Sequence, residues 1–328
     1  MKRVGNLFDR IVEPENLRLA FWKASKGKRH RRAQREFAAN LEYEIARMHN
    51  GLLSGDYEVG NYTMFKIYEP KERCICAASF SERVLHHAFM NVCDVWFERW
   101  LIYDTYACRK GKGQFKALER AKTFAYSNAW FLKADVRKFF DSISHKILKQ
   151  ILDSKIKDEK VIFWFNKIID TYELDADKGL PIGNLTSQFF ANLYLEPLDR
   201  FVKEKLRCKC YVRYMDDFLL FARTKDELLE ARKKIKSFVE KDLMLELKGE
   251  PKINRMSLGV PFLGMKVFGN RILLSKQSIK RFLNKINHLE HLLKNDLIDY
   301  DEYQQRVTAL TAFVEQADSL VWRQKVLN

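Results

Sequence analysis

The amino-acid sequence predicts an α+β fold with antiparallel strands, and three stretches of the chain indicate it. Residues 211–222 contain two short apolar runs separated by Met215, Asp216 and Asp217, a pattern typical of a β-hairpin with a tight turn. Residues 64–76 alternate between apolar and polar side chains around a polar turn, which predicts a second hairpin. Residues 279–293 instead repeat apolar side chains at helical spacing, which predicts an amphipathic helix.

Composition and charge narrow the possible functions. The 328 residues are enough for one large domain or for two to three subdomains with hydrophobic cores. Hydrophobic residues make up 47% and charged residues 31%, which is typical of a folded chain and excludes a disordered one. The 59 Lys and Arg residues exceed the 43 Asp and Glu residues and give a net charge of +16. This excess favours a polyanionic partner; a basic protein without such a partner is the alternative.

The cysteines and the N-terminal segment indicate a cellular location. The six cysteines include two Cys-x-Cys pairs, but no Cys-x-x-Cys spacing and no histidine pair that would complete a zinc site. We therefore expect reduced thiols. The first residues lack the apolar stretch of an export signal, and no run approaches the roughly 20 apolar residues that cross a bilayer. These features predict a cytoplasmic protein without a membrane partner.

Further periodic stretches predict the remaining helices and strands. The predicted helices cover residues 15–24, 35–50, 80–100, 146–172, 189–198 and 225–242. The predicted strands cover residues 130–135, 243–247 and 261–268, and the last one begins a hairpin that turns at residues 269–270. The basic segment 26–32 follows the first helix and either grips phosphates or forms a solvated loop.

Acidic residues at the ends of predicted strands suggest a metal site. Asp216 and Asp217 bring like charges together at the hairpin turn, which costs free energy unless a multivalent cation lies there. A plain surface turn is the alternative, because Asp is a common turn residue. Asp135 ends the predicted strand 130–135, where on its own it would serve equally as a helix N-cap. The chain between these residues is long enough to place that strand beside the hairpin in one antiparallel sheet.

Three such carboxylates are typical of a site for two Mg²⁺ ions, or Mn²⁺ in their place. One ion would lower the pKa of a primer 3′-hydroxyl, while the other would neutralise a triphosphate and its leaving group. Lys66, Lys71 and Arg73 of the hairpin at residues 64–76 are candidates to hold that triphosphate, although each could be a surface cation. The pattern therefore indicates nucleotidyl transfer.

Two further segments suggest contacts with a nucleic acid. Gly183, in the Gly/Pro-containing segment 179–188, would let a base or sugar approach the backbone closely, or serve only as a loop residue. Basic residues near the start of the last predicted helix would line a duplex backbone or face water; they are Lys276, Lys280, Arg281 and Lys285.

The segment Tyr214-Met215-Asp216-Asp217, set between apolar strands, resembles the Tyr-x-Asp-Asp signature of reverse transcriptases. Other motifs of that family resemble, in the same order, residues 131–143, 180–188, 243–252 and 262–264. The resemblance implies a right-hand polymerase fold with fingers, an antiparallel-sheet palm and a short helical thumb.

The same resemblance implies a division into domains. A helical, basic N-terminal extension would cover residues 1–62. The fingers and palm, which form the reverse transcriptase core, would cover residues 63–274, and the helical thumb would cover residues 275–328.

One loop indicates the subfamily. Residues 182–188 read Ile-Gly-Asn-Leu-Thr-Ser-Gln, where most reverse transcriptases have Gln-Gly near the start and Ser-Pro near the end. This variant, together with Arg73, Phe80, Arg83 and residues 105–109, resembles the reverse transcriptases of diversity-generating retroelements.

That resemblance implies a biological role and partners. The enzyme would copy a template-repeat RNA into cDNA with errors opposite template adenines, so that mutagenic retrohoming rewrites part of a target gene. Its partners would be the template RNA, the RNA/cDNA duplex, dNTPs and a small helical, oligomeric accessory protein. The gene would be bacterial, archaeal or phage-encoded. The alternatives are a retron or phage-defence reverse transcriptase, and a maturase-like RNA-binding protein without polymerase activity.

The resemblance also implies roles for the acidic residues and for one lysine. Asp135 and Asp216 match the metal ligands, to which the carbonyl of Val136 would add a further ligand. Asp217 matches the second aspartate of the pair. It would either bind a metal ion directly or contact the residues that do. Lys252 would protonate the pyrophosphate, with Lys248 as the alternative.

Other matched positions would contact the nucleotide or the primer. Arg73 matches the arginine that binds the triphosphate, with either Lys66 or Lys71 beside it. Phe140 matches the aromatic gate that excludes a ribose 2′-hydroxyl; a core phenylalanine is the alternative. The other matched positions are Ile182, Gly183 and Gln188 at the nucleotide, and Phe262, Leu263 and Gly264 in the primer grip.

Ile182 stands where the family usually has glutamine. Because a branched apolar side chain cannot make the hydrogen bonds of an amide near the nascent base pair, we expect weaker discrimination against mispairs. An isoleucine that only packs the loop is the alternative.

Overall fold

A computed structural model describes residues 2–68 and 72–327. The helices of this part are Phe8–Val12 (α1), Pro14–Ser25 (α2), Arg32–Ala39 (α3), Leu41–Ser54 (α4), Phe80–Trp100 (α5), Gln114–Tyr126 (α6), Phe139–Ser142 (α7), His145–Lys155 (α8), Glu159–Asp170 (α9), Leu185–Tyr194 (α10), Glu196–Arg200 (α11), Lys225–Lys241 (α12), Lys276–Lys294 (α13), Tyr300–Val314 (α14) and Leu320–Leu327 (α15). A π-helical turn covers Phe201–Lys205 and a 3₁₀ turn covers Met256–Leu258.

The strands form three antiparallel sheets. Their bounds are Tyr62–Ile67 (β1), Arg73–Ala78 (β2), Trp130–Asp135 (β3), Tyr211–Tyr214 (β4), Asp217–Ala222 (β5), Lys252–Arg255 (β6), Val260–Phe262 (β7), Met265–Val267 (β8) and Ile272–Leu274 (β9). The sheet orders are β1-β2, β4-β5-β3-β6 and β7-β8-β9. Helices and antiparallel strands together confirm the predicted α+β class.

The first of two compact units comprises Met1–Tyr103, Val136–Phe201 and Ser237–Glu246. Its central element is α5, which packs against α1, α2, α3 and α10. Aromatic rings fill the core, with the ring centroid of Phe165 lying 5.3 Å from that of Phe89 and 5.2 Å from that of Phe190. Burial of this apolar face is what stabilises the helical layer.

The second unit comprises Asp104–Asp135, Val202–Lys236 and Leu247–Asn328. One core joins α6 to both of its sheets and includes Leu118, Leu219 and Met265, while a smaller core joins α13 to α14. Consecutive residues of β5 are fully buried, as expected for a strand covered on both faces. The predicted domain boundaries at residues 62 and 274 stay a prediction.

Two predicted helices are interrupted. The helix predicted over 35–50 is divided at Asn40, whose side-chain amide donates to the carbonyl of Glu36 and competes with the helical backbone bonds. The helix predicted over 146–172 is likewise two helices, α8 and α9, and Asp158 caps the second one by accepting from the Val161 N–H.

The strand predicted over 243–247 is wrong. Leu243, Leu245 and Leu247 are buried and alternate with exposed residues, so the pattern was real. However, Met244 has a φ of 51°, in the left-handed region, and the N–H groups of Leu243 and Leu245 donate back to the end of α12. The strand that joins the sheet is β6, later in the chain.

Two other predicted elements are displaced. The strand predicted over 261–268 is a hairpin, β7 and β8, because Leu263 and Gly264 take φ values of 50° and 80° and turn the chain. The helix predicted over 189–198 begins earlier, at Leu185, and ends at Tyr194; α11 then begins at Glu196, with Pro197 as its second residue. The predicted turn at residues 269–270 lies between β8 and β9, as expected.

All six cysteines are free thiols in the structure. Within residues 2–68 and 72–327, no helix has both the length and the apolar character needed to cross a bilayer.

Candidate functional site

Three aspartates meet at one end of the four-stranded sheet. Asp135 is the last residue of β3, and it lies directly opposite Asp217, the first residue of β5, in the antiparallel register. Asp216 lies in the two-residue turn that joins Tyr214 to Asp217. All three are half-buried. The sheet therefore brings the predicted acidic residues together from two distant parts of the chain.

A buried arginine shapes the turn that carries Asp216. Met215 has a φ of 56°, a left-handed conformation that an ordinary side chain adopts only at a cost. Arg213, which is fully buried, donates from Nη1 to the Met215 carbonyl at 2.9 Å. The Arg213 N–H donates to the Asp104 carbonyl, and the Arg213 carbonyl accepts from the Tyr106 N–H. Sequence reasoning missed Arg213, although a charged residue inside an apolar strand was a signal.

Lys133 is a second residue that sequence reasoning missed. It precedes Asp135 by two positions, so both side chains lie on the same face of β3. Its Nζ lies 2.8 Å from Asp217 Oδ2 and 2.8 Å from the carbonyl oxygen of Pro261. The ammonium therefore links the acidic end of the sheet to β7.

The protonation of Asp217 reflects opposing influences. Its pKa is raised to about 6 as the net result: burial raises the pKa, the positive charge and hydrogen bond of Lys133 lower it, and the negative charges of Asp135 and Asp216 raise it again. Burial is the largest of these effects. A bound cation would favour the ionised form, as Lys133 already does.

The acidic residues offer carboxylate oxygens, which are the kind of ligand that a hard divalent cation binds. Asp217 Oδ1 is a buried oxygen that accepts no hydrogen bond from the described residues, and carboxylate oxygens are the ligands that Mg²⁺ prefers. However, in residues 2–68 and 72–327 no three or more His, Cys, Asp or Glu side chains are grouped so that they could hold a metal ion. The predicted metal roles of Asp135, Val136, Asp216 and Asp217 therefore stay predictions.

Both lysines proposed for proton transfer lie near the acidic end of the sheet. Lys248 donates its backbone N–H to the Asp135 carbonyl at 2.7 Å. Lys252 begins β6 opposite Lys133 of β3. Both side chains are exposed, so Lys252 and Lys248 both remain candidates for the residue that protonates the pyrophosphate.

The predicted primer-grip residues form the turn between β7 and β8. Phe262 is buried, and Leu263 and Gly264 are the turn residues. Gln114 donates to the Leu263 carbonyl at 2.8 Å, and Ser278 Oγ donates to the Gly264 carbonyl at 2.6 Å. A Cβ on Gly264 would lie 3.0 Å from Ser278 Oγ, so this position favours glycine.

In the first unit, the hairpin of β1 and β2 carries the cations predicted to bind triphosphate. Lys66 Nζ lies 2.6 Å from the carboxylate of Glu72, with both side chains more than half exposed. Arg73 is exposed at the start of β2. Lys71 lies outside the described residues.

The predicted nucleotide loop is bonded to that hairpin. The Cys76 N–H donates to the Ile182 carbonyl at 2.8 Å. Gly183 has a φ of 120°, and an added Cβ would lie 3.0 Å from Ile75 Cγ2. Gln188 is half-buried on α10. Position 183 therefore favours glycine. The hydrogen bond of Ile182 is made by its backbone carbonyl and does not involve its side chain.

Phe140, the predicted gate, is half-buried on α7, whereas its neighbour Phe139 is buried. The two rings lie 5.8 Å apart in an edge-to-face arrangement. The Phe140 carbonyl accepts from the Leu180 N–H at 2.8 Å, which joins α7 to the segment before the loop.

The chain is similar to known proteins in sequence. The family described as reverse transcriptase (RNA-dependent DNA polymerase) matches residues 69–267. The chain is 23% identical to the putative COX1/OXI3 intron 2 protein of Saccharomyces cerevisiae, over 38% of this chain and 15% of that protein. It is 25% identical to the group II intron-encoded protein LtrA of Lactococcus lactis subsp. cremoris, over 49% of this chain and 28% of that protein. The chain thus spans less than a third of either relative.

A solved structure shows the same fold. Apo telomerase from Candida tropicalis superimposes with a TM-score of 0.53 and 13% identity, over 82% of this chain and 60% of that chain. The α+β architecture is that of a right-hand polymerase, as the resemblance predicted.

Proposed function

The chain belongs to the reverse transcriptase (RNA-dependent DNA polymerase) family, and from this premise we propose that it copies RNA into DNA by metal-assisted nucleotidyl transfer. The observation that carries the proposal is the direct opposition of Asp135 and Asp217 across β3 and β5, with Asp216 in the adjoining turn. A strand end that gathers acidic residues is expensive unless cations compensate the charge.

The residues of the chain would share the work as follows. Two bound Mg²⁺ ions would supply charge cancellation at the primer hydroxyl and the triphosphate. Asp135 and Asp216, with the carbonyl of Val136, would hold them. Lys133 positions Asp217, and Arg213 holds the turn of Asp216 in place.

Other residues would bind the substrates. Arg73, with Lys66 or Lys71, would hold the triphosphate, and Lys252 or Lys248 would protonate the pyrophosphate. Of these cations, Lys66 would have to exchange Glu72 for the phosphate. The turn at Phe262, Leu263 and Gly264 would support the primer, and Gln188 would lie at the nucleotide.

The central experiment is primer extension on an RNA template with dNTPs and Mg²⁺. We expect Asp216→Asn to abolish extension while RNA binding is retained, because the change removes a charge and keeps the shape. Asp226→Asn, at an exposed position on α12, is the matched control and should extend primers normally. Full extension by Asp216→Asn would contradict the proposal.

At a finer level, we propose the diversity-generating type, with a template-repeat RNA, a small helical accessory protein and cytoplasmic location. The support is the loop in which Ile182 stands in place of glutamine. The Ile182 carbonyl accepts from the Cys76 N–H, so a change of the side chain at position 182 need not move the backbone. Ile182→Gln should lower the error frequency opposite template adenine more than opposite the other bases. An unchanged error spectrum would exclude Ile182 as a cause.

The matches to intron-encoded proteins favour a second candidate, a reverse transcriptase that acts with an intron-like RNA. Sequencing the RNA that copurifies with the protein would separate the two. A template-repeat RNA supports the first, and a structured intron or retron-like RNA supports the second.

A further inference from the structure

A small cavity in the first unit is lined by cations and by buried polar atoms that have no hydrogen-bond partner among the described residues. It has a volume of about 230 Å³ and lies between the end of α2, the helix α5 and the start of α10. Lys28, Arg83, His86 and Asn184 are among its lining residues. Lys28 belongs to the basic segment 26–32, for which the sequence left open whether it grips phosphates.

The cations at this cavity have no acidic counterpart. In the described part of the chain, neither Lys28, Arg83 nor the nearby Arg31 forms an ion pair with a carboxylate; Arg83 donates from Nε to the Ala78 carbonyl. Burial, and then the charges of Arg83 and Arg31, lower the pKa of Lys28, and burial followed by Arg31 lowers the pKa of Arg83. A bound anion would relieve this repulsion.

Two buried side chains also lack partners there. Asn184 is 3% exposed, and its Nδ2 donates to none of the described residues. His86 is 1% exposed, and its Nε2 forms no hydrogen bond with any residue that the structure describes; a carboxylate oxygen of Glu82 lies 3.7 Å away. That carboxylate already accepts from the N–H groups of Gly60 and Asn61. Buried polar atoms without hydrogen-bond partners are rare and point to a missing partner.

The backbone adds to the same preference. Asn184 is the N-cap of α10, but its side chain does not cap the helix. The helix therefore presents its positive end at the cavity, where an anion is stabilised.

We propose that this cavity binds a backbone phosphate of a nucleic-acid strand, with Lys28, Arg83 and Asn184 as its donors. A strand fits better than a single nucleotide because two neighbouring cations of the segment, Arg29 and Arg31, are exposed and would meet adjacent phosphates. The inference rests on the proposed function for the class of ligand, and it adds a phosphate site to which Lys28, outside the matched motifs, contributes together with Arg83 and Asn184.

The test is binding of a labelled single-stranded RNA in EDTA, measured by fluorescence anisotropy over a range of salt concentrations. Lys28→Gln and Asn184→Asp should each weaken binding about tenfold, as loss of one charge-assisted contact does. Each should also reduce the slope of log K against log salt by about 0.7. Lys26→Gln is the matched control from the same loop, and it should change affinity much less.

Several results would overturn the inference. If Lys26→Gln lost as much RNA affinity as Lys28→Gln, binding would reflect the overall positive charge of the segment and not this cavity. If Lys28→Gln lost no RNA affinity, the proposed site would be refuted. Labelled dTTP is titrated in the same assay, and a loss confined to dTTP binding would assign the cavity to the incoming nucleotide. Asparagine and aspartate are both good N-caps, so Asn184→Asp should melt at or above the wild-type temperature.

Because binding is measured without catalysis, inactive wild-type protein with this pattern of losses would refute only the polymerase proposal. Wild-type protein that does not bind RNA would refute the phosphate site as well.

Discussion

Lys133 Nζ lies 2.8 Å from Asp217 Oδ2, and this ion pair is largely shielded, with 25% of the lysine and 18% of the aspartate side chain exposed. The same ammonium donates to the Pro261 carbonyl. Lys133 therefore neutralises one carboxylate of the acidic end and ties β3 to β7 at the predicted primer grip.

We expect Lys133→Met to destabilise the protein by about 1–3 kcal/mol, because a buried carboxylate loses its partner. The pKa of Asp217, already raised to about 6, should rise further. A carboxyl group with a raised folded-state pKa binds protons more readily in the folded protein, so stability falls as pH rises from about 4 to 6. This loss should be larger in Lys133→Met.

The measurement is urea unfolding in EDTA at pH 5 and pH 8, which keeps metal binding out of the comparison. The double variant Lys133→Met, Asp217→Asn is the control, because it removes the uncompensated charge and should recover most of the lost stability. Equal stabilities of the single and double variants would show that the ion pair contributes little.

The residues involved show what could be read from the sequence and what could not. Strand alternation and turn chemistry place Asp135, Asp216 and Asp217 at strand ends, and these are local properties. The partner of Asp217 depends on which strands become neighbours, so Lys133 was not assigned. Arg213 lies only two residues before Met215, and its role depends on the full burial of its side chain, which is a property of the folded protein. Alternation alone also misled at residues 243–247, because Met244 leaves the extended region and the N–H groups bond to α12. Register and long-range hydrogen bonds carry the information that a single sequence lacks.

Gly183→Ala should test the packing of the nucleotide loop. The added Cβ would lie 3.0 Å from Ile75 Cγ2 and 3.2 Å from the Cys76 carbonyl, at a φ of 120°. We expect a loss of about 1–3 kcal/mol in unfolding free energy and a higher KM for dNTPs. Gly111→Ala is the control, since Gly111 has a φ of 69° and no atom within 4 Å of an added Cβ. It should cost about 1 kcal/mol and leave KM unchanged. Equal losses of unfolding free energy at both positions would mean that the positive φ, and not the close contact with Ile75 and Cys76, accounts for the destabilisation.

Phe140→Ala should increase the use of ribonucleotides. If the half-buried ring excludes a 2′-hydroxyl, its removal should raise the ratio of rNTP to dNTP incorporation by about tenfold or more. Phe139→Leu, at the buried neighbouring position, should lower stability by about 1 kcal/mol without changing that ratio. Competitive primer extension with both nucleotide types gives the ratio. An unchanged ratio in Phe140→Ala would identify Phe140 as a core residue.

His86 should make the protein sensitive to acid. Burial, followed by the charges of His87 and Arg83, lowers the pKa of His86 to about 3, and burial lowers that of His87 to about 4. Glu82, whose pKa is raised by burial, is the acidic group nearest to His86. Because the unfolded chain binds a proton near pH 6.5 and the folded protein does not, stability falls as pH drops from about 6.5 towards 3.

Both histidines should lower stability as the pH falls, and the fully buried His86 should contribute about 1.4 kcal/mol per pH unit within that window. The difference between wild type and His86→Gln isolates one of them, since Glu82 and Asp217 titrate in both proteins and act in the opposite direction. Urea unfolding at pH 7 and pH 5 should therefore show a smaller loss of stability in His86→Gln than in wild type. His288→Gln, on an exposed position of α13, should keep the wild-type slope. A wild-type slope in His86→Gln would mean that His86 becomes protonated within the folded protein, with Glu82 3.7 Å away as its counter-charge.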